Sequence, residues 1–139
     1  MGTLDMAEIL LDAYHLADQI NESEEVQAYL NLRKKLKEDP EAQKLIREFQ
    51  KLKERYEEAQ RFGIFHPNYH ESKNQAESFL KQMRAHPVIG SFLEAEEKLD
   101  HLLYQVSSMI ARSVSESVKV PVNDMGKGSK KGRKACGDR

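Results

Sequence analysis

Arg55-Tyr56-Glu57-Glu58-Ala59-Gln60-Arg61-Phe62-Gly63-Ile64-Phe65-His66-Pro67-Asn68-Tyr69 decides the fold. Up to Phe62 the run is helix-compatible, with charged residues, Ala and Gln and no breaker. Gly63 supplies the left-handed backbone that stops a helix at little cost. Pro67 then bars a single continuous helix, so the segment between is a loop or bent hairpin that joins two helices. It is unusually aromatic for a connector.

Upstream, Asp39-Pro40-Glu41 starts the helix that Gly63 stops, because Asp can cap and proline is preset for the first helical position. Ala42, Leu45, Ile46, Phe49, Leu52, Tyr56 and Ala59 fall on one face of it at steps of three and four. Its Lys, Glu and Arg residues form a solvated face with i,i+4 partners. Earlier still, Asp5 with Glu8 offers an N-cap and partial capping box for a helix with Met6, Ile9, Leu10, Ala13, Leu16, Ala17 and Ile20 on one side. Ser23, followed by Glu24 and Glu25, starts another that carries Val26, Tyr29, Leu30 and Leu36.

Downstream, a helix from about Asn68 to Arg84 or Ala85 turns Tyr69, Ala76, Phe79, Leu80 and Met83 inward. His86-Pro87 resets the chain. The last helix is the longest, with an apolar stripe from Val88 through Phe92, Ala95, Leu99, Leu102, Leu103, Val106, Met109, Ile110 and Val114 to Val118. Phe92, Leu99 and Val106 repeat in heptad fashion, as do Ala95, Leu102 and Met109. About 30 residues of helix span roughly 45 Å, more than a small bundle needs. Phe92, Leu99, Leu102, Val106, Met109 and Ile110 are therefore candidates for self-association in a homo-oligomer. Val120-Pro121 ends the helix.

The fold class expected is all-α, an antiparallel helical bundle of about five helices with one long C-terminal helix. Residues 1–121 form a single domain, the size that 139 residues allow, and residues 122–139, poor in apolar side chains, form a disordered basic tail. Hydrophobic residues at 39% and charged residues at 32%, without Trp, favour charged-faced helices over a strand-rich sandwich. The net charge of -1 conceals an asymmetry: from Pro121 onward six basic residues face two acids. An RNA contact through this tail is the alternative functional reading, although the acidic body argues against a wide phosphate-tracking groove.

Cys136 stands alone, so no internal disulfide framework exists. The N-terminus shows no basic segment leading into an apolar run, and no stretch approaches the roughly 20 apolar residues that cross a bilayer. No membrane insertion and a cytoplasmic location are expected.

Chemistry-bearing motifs are sparse. Nucleophile-elbow, phosphate-loop and zinc-protease patterns do not occur, and Gly126-Lys127-Gly128-Ser129 lacks the spacing and preceding strand of a phosphate loop. The chain reads as a non-enzyme. His66 and His70 stand four apart, as two zinc ligands on a helix would, but Pro67 separates them, so no metal is assigned. Tyr56, Arg61, Phe62, Phe65, His66 and Tyr69 remain as a partner-binding candidate, since aromatics and Arg beside a Gly-Pro turn are hot-spot residue types. The same aromatics could instead close the hairpin end of the bundle; the exposure of Phe62 and Phe65 separates the two.

The Arg55–Tyr69 run closely resembles the hallmark helix and turn of the YlbF/YmcA family, E/R-Y-E-x-x-Q-R-F-G-x-x-H-P-x-Y. Val114-Ser115-Glu116-Ser117-Val118-Lys119-Val120-Pro121 looks like the end of that family's last helix, and the resemblance covers about residues 5–121. It implies a helical regulator of Firmicutes that associates with YmcA-like and YaaT-like proteins. Competence, sporulation, biofilm formation and RNA processing by RNase Y are the implied settings. Family members often carry a cysteine cluster associated with iron–sulfur binding. Four thiolates usually hold such a cluster and Cys136 is one, so no cofactor is expected.

Overall fold

The computed structural model describes residues 5–122 and contains five helices, with no strand among the described residues. They are α1 (Met6–Asn21), α2 (Glu24–Glu38), α3 (Pro40–Phe62), α4 (Tyr69–Ala85) and α5 (Pro87–Val114). The fold is an all-α helical bundle. The chain divides into two compact units between Leu102 and Leu103, within α5. The basic tail from Asn123, with Gly126-Lys127-Gly128-Ser129 and Cys136, lies outside the described residues.

Short polar residues set the helix starts. Asp5 accepts from the Ala7 N–H at 3.0 Å, and Ser23 accepts from the Val26 N–H at 3.4 Å. Asp39 acts twice: its backbone N–H donates to Lys35 O at the end of α2, while Oδ1 accepts from the N–H groups of Glu41 and Ala42, both at 3.0 Å. With Pro40 at the first turn, one Asp-Pro step ends one helix and begins the next.

α3 and α4 form the central pair, and the core of the first unit lies where they meet the start of α5. Ala42, Met83 and Ile89 are its buried centre; Leu36, Leu45, Ile46, Phe49, Phe79 and Leu93 pack around it. Phe49 and Phe79 stack with centroids 6.3 Å apart. Ala42 and Ala59 are among the most buried side chains, so small residues let the helices approach closely. Gly90 does the same at the α4–α5 junction, where a Cβ would stand 2.5 Å from the Arg84 carbonyl oxygen.

Four features differ from the reading of the sequence. The apolar face of α1 finds little cover: Leu16 and Ile20 are half-buried, while Met6, Ile9, Leu10 and the alanines stay exposed. On α2 it is Leu32, not Leu30, that turns inward with Val26, Tyr29 and Leu36, because steps of three from Val26 lead to Tyr29 and Leu32. At the start of α5, Ile89 at 3% exposure is the buried residue, with Val88 at its edge. Finally, α5 stops at Val114 and leaves Val118 outside the helix. Serines explain that stop: the Ser117 N–H donates to Ser115 Oγ, and the Ser115 and Ser117 hydroxyls pair at 2.8 Å, replacing helical bonds with a local turn.

Exposed i,i+4 ion pairs dress the surface, Lys53–Glu57, Lys73–Glu77 and Lys98–Glu94 among them. At such exposure each contributes well under about 1 kcal/mol. Among the described residues no helix is long and apolar enough to cross a membrane.

Candidate partner-binding site

The turn between α3 and α4 is built by three residues acting in sequence. Gly63 takes φ 88° and ψ 176°, a conformation essentially reserved for glycine, and its N–H donates to Gln60 O at 3.1 Å. The chain then reverses, with the His66 N–H on Gly63 O and the Tyr69 N–H on His66 O, both at 3.0 Å. His66 Nδ1 accepts from the Asn68 N–H at 3.2 Å, which satisfies a donor at the start of α4 where Asn68 itself makes no side-chain cap. That bond fixes the proton of the neutral ring on Nε2.

The same device recurs at the other end of α4. His86 also precedes a proline, and its Nδ1 faces the Ile89 N–H at 3.5 Å while Nε2 lies 4.0 Å from Glu41 Oε2. His-Pro is thus used twice as a helix starter. Spacing rules for metal ligands gave His86 no role, and only the offset from histidine to the next free N–H could have signalled it. Among the described residues no three His, Cys, Asp or Glu side chains gather as a metal site would require.

Exposure divides the aromatic set. Tyr56 and Tyr69 are half-buried and pack against each other with centroids 5.7 Å apart. Gln60 Nε2 donates to the Tyr56 hydroxyl at 3.0 Å. Burial, the hydrogen bond with Tyr69 and the charges of Tyr69 and Glu77 push the Tyr56 phenol above its ordinary value, against the opposing pull of Gln60. These two residues close the hairpin. Phe62 and Phe65 do the opposite, at 69% and 94% exposure, with Ile64 between them at 57%. His66 is half-buried and stacks on Phe62 at 5.3 Å, and Arg61 is exposed.

Beside this tip runs an open cleft of about 550 Å³. Arg55, Glu58 and Phe62 line it from α3, Glu71 and Gln75 from α4, over a floor of buried Ala59 and Ser72. Ser72 escaped the reading of the sequence because apolar periodicity skips serine; its hydroxyl donates to Asn68 O, so it enters the interior satisfied. An exposed apolar tip beside a polar cleft with mixed charges is suited to a protein surface: aromatic anchors supply area and the charges set register.

The self-association candidates fall on both sides of the division within α5. In the first unit Phe92 is half-buried with its ring 5.4 Å from Tyr29, and Leu99 and Leu102 are half-buried. In the second, Val106 is half-buried, whereas Met109 and Ile110 are 71% and 54% exposed.

Residues 9–115 match the profile of the family described as control of competence regulator ComK, YlbF/YmcA. The chain belongs to the YlbF/YmcA family. It is 37% identical over 123 residues to the regulatory protein YlbF of Bacillus subtilis (strain 168), covering 88% of this chain and 83% of that one. A chain in the crystal structure of B. subtilis RicA in complex with RicF is also similar, with a TM-score of 0.70 and 37% identity over 83% of this chain and 100% of that chain. That solved chain belongs to a complex of two different proteins.

Proposed function

We propose that this YlbF/YmcA-family chain is a non-enzymatic regulatory adaptor of the cytoplasm. It acts by helix-mediated association with itself and with YmcA-like and YaaT-like proteins. The processes it serves are competence, sporulation, biofilm control and RNase Y-dependent RNA processing. The observation that carries the reading is the exposed Phe62-Ile64-Phe65 tip, since a side chain 94% exposed contributes nothing to the chain's own core. The likeness to a chain from a two-protein complex supports it. The adaptor holds no iron–sulfur cluster by itself: Cys136 is one thiolate where four are usually needed, so the donor set within these 139 residues does not fit.

The test is isothermal titration of the full chain with purified B. subtilis RicA, backed by light scattering of the mixture. A stoichiometric complex is expected, weakened about tenfold or more by Phe65→Ser. Failure of the wild-type chain to form any complex with RicA, together with a monomeric state on its own, would overturn the reading.

A further inference from the structure

No residue of α1 is buried. α2 shares that lack of full burial, but Val26, Tyr29, Leu32 and Leu36 are half-buried along it, whereas α1 offers only Leu16 and Ile20. Met6, Leu10 and Tyr14 stand at 68%, 52% and 68% exposure and follow one another at four-residue steps, so they lie on one stripe. Ala13 and Ala17 continue that stripe, both exposed. This is the anchor pattern of a helix that inserts into another protein's groove.

Charge identifies what kind of groove. No Lys or Arg occurs before Arg33, while seven acids do: Asp5, Glu8, Asp12, Asp18, Glu22, Glu24 and Glu25. By the 3.6-residue repeat, Asp18 borders the stripe beside Tyr14, and Glu8 and Asp12 cover the opposite side of the helix. A second copy's α1 would bring carboxylates against carboxylates, which costs rather than gains. A groove with an apolar floor and Lys or Arg on its rims would match the stripe and its flanks together.

We infer that α1 is a docking helix for a partner protein with an apolar, basic-rimmed groove, and that the RicA-type partner of the adaptor reading supplies it. The inference rests on that reading. Docking inserts Met6, Leu10 and Tyr14 and sets Asp18 against the rim.

The experiment uses the full chain and purified B. subtilis RicA, titrated at about 50 and about 300 mM salt. Leu10→Ser should weaken binding about tenfold or more with helicity by circular dichroism unchanged, since Leu10 is half in water already. Asp18→Lys, at an exposed position, should weaken binding and flatten its salt dependence. Wild-type affinity in Leu10→Ser, or tighter binding by the lysine variant, would overturn the inference and leave the adaptor reading standing. So would loss of the chain's self-association in Leu10→Ser with RicA binding intact, which would put a second copy on α1. No RicA binding by the wild-type chain overturns the inference, and overturns the adaptor reading as well when the chain is also monomeric on its own.

Discussion

The rings of Tyr56 and Tyr69 meet with centroids 5.7 Å apart and planes tilted by 49°, joining α3 near its end to α4 at its first residue. The contact is enclosed enough to disfavour a phenolate on Tyr56. Folding therefore holds the Tyr56 value above 10.0, the value it takes in the unfolded chain.

The pH dependence follows in sign. Below pH 10.0 both states carry the neutral phenol and the contribution is complete; as pH rises through the folded-state value, the unfolded chain ionises first and stability is lost. Urea unfolding at stepped alkaline pH should show a steeper decline for the wild-type chain than for Tyr56→Phe. Equal slopes would mean that Tyr56 titrates alike in both states.

Gly90 and Gly63 are indispensable for different reasons, and alanine separates them. At Gly90 the new Cβ meets a backbone oxygen at 2.5 Å, and the gain in helix propensity of up to about 1 kcal/mol does not offset the shift required. A net loss of about 1–2 kcal/mol is expected. At Gly63 nothing stands within 4 Å, so the cost there comes from the backbone conformation alone, about 1–3 kcal/mol. Gly90→Ala unfolding at wild-type denaturant would show that α4 and α5 separate freely at their junction.

Asp39 caps α3 through two N–H groups, so Asp39→Ala should cost about 1–2 kcal/mol and Asp39→Asn very little. Thermal unfolding of the pair reads this directly. If the alanine and asparagine variants melt together, the side-chain bonds are not what holds the α2–α3 corner.

Helix starts were legible because each is written in one or two residues, as Asp39-Pro40 shows. The end of α5 was less so, since Val114 and Val118 continue the apolar spacing and only the competing serines cut it short. Burial was legible where two helices must meet, as along Ala42 to Ala59, and illegible on α1, where periodicity defines a face without saying whether anything covers it. At the turn, the motif presented Tyr56, Phe62, Phe65 and Tyr69 as one aromatic group. Their division into a closed pair and an exposed tip depends on helical phase and on the path from Gly63 to Tyr69, which composition does not encode. His86 was invisible because its work is done by a ring nitrogen on a backbone N–H.

Three of the five buried hydrophobic residues among those described are alanines, Ala42, Ala59 and Ala95. So small an interior leaves a thin margin of stability, to which, under the adaptor reading, a partner present at a hundred times its dissociation constant would add about 2.7 kcal/mol. Under the adaptor reading, copies synthesised in excess of their partners would be the first to open and meet proteases, and turnover would trim subunit ratios without a dedicated sensor.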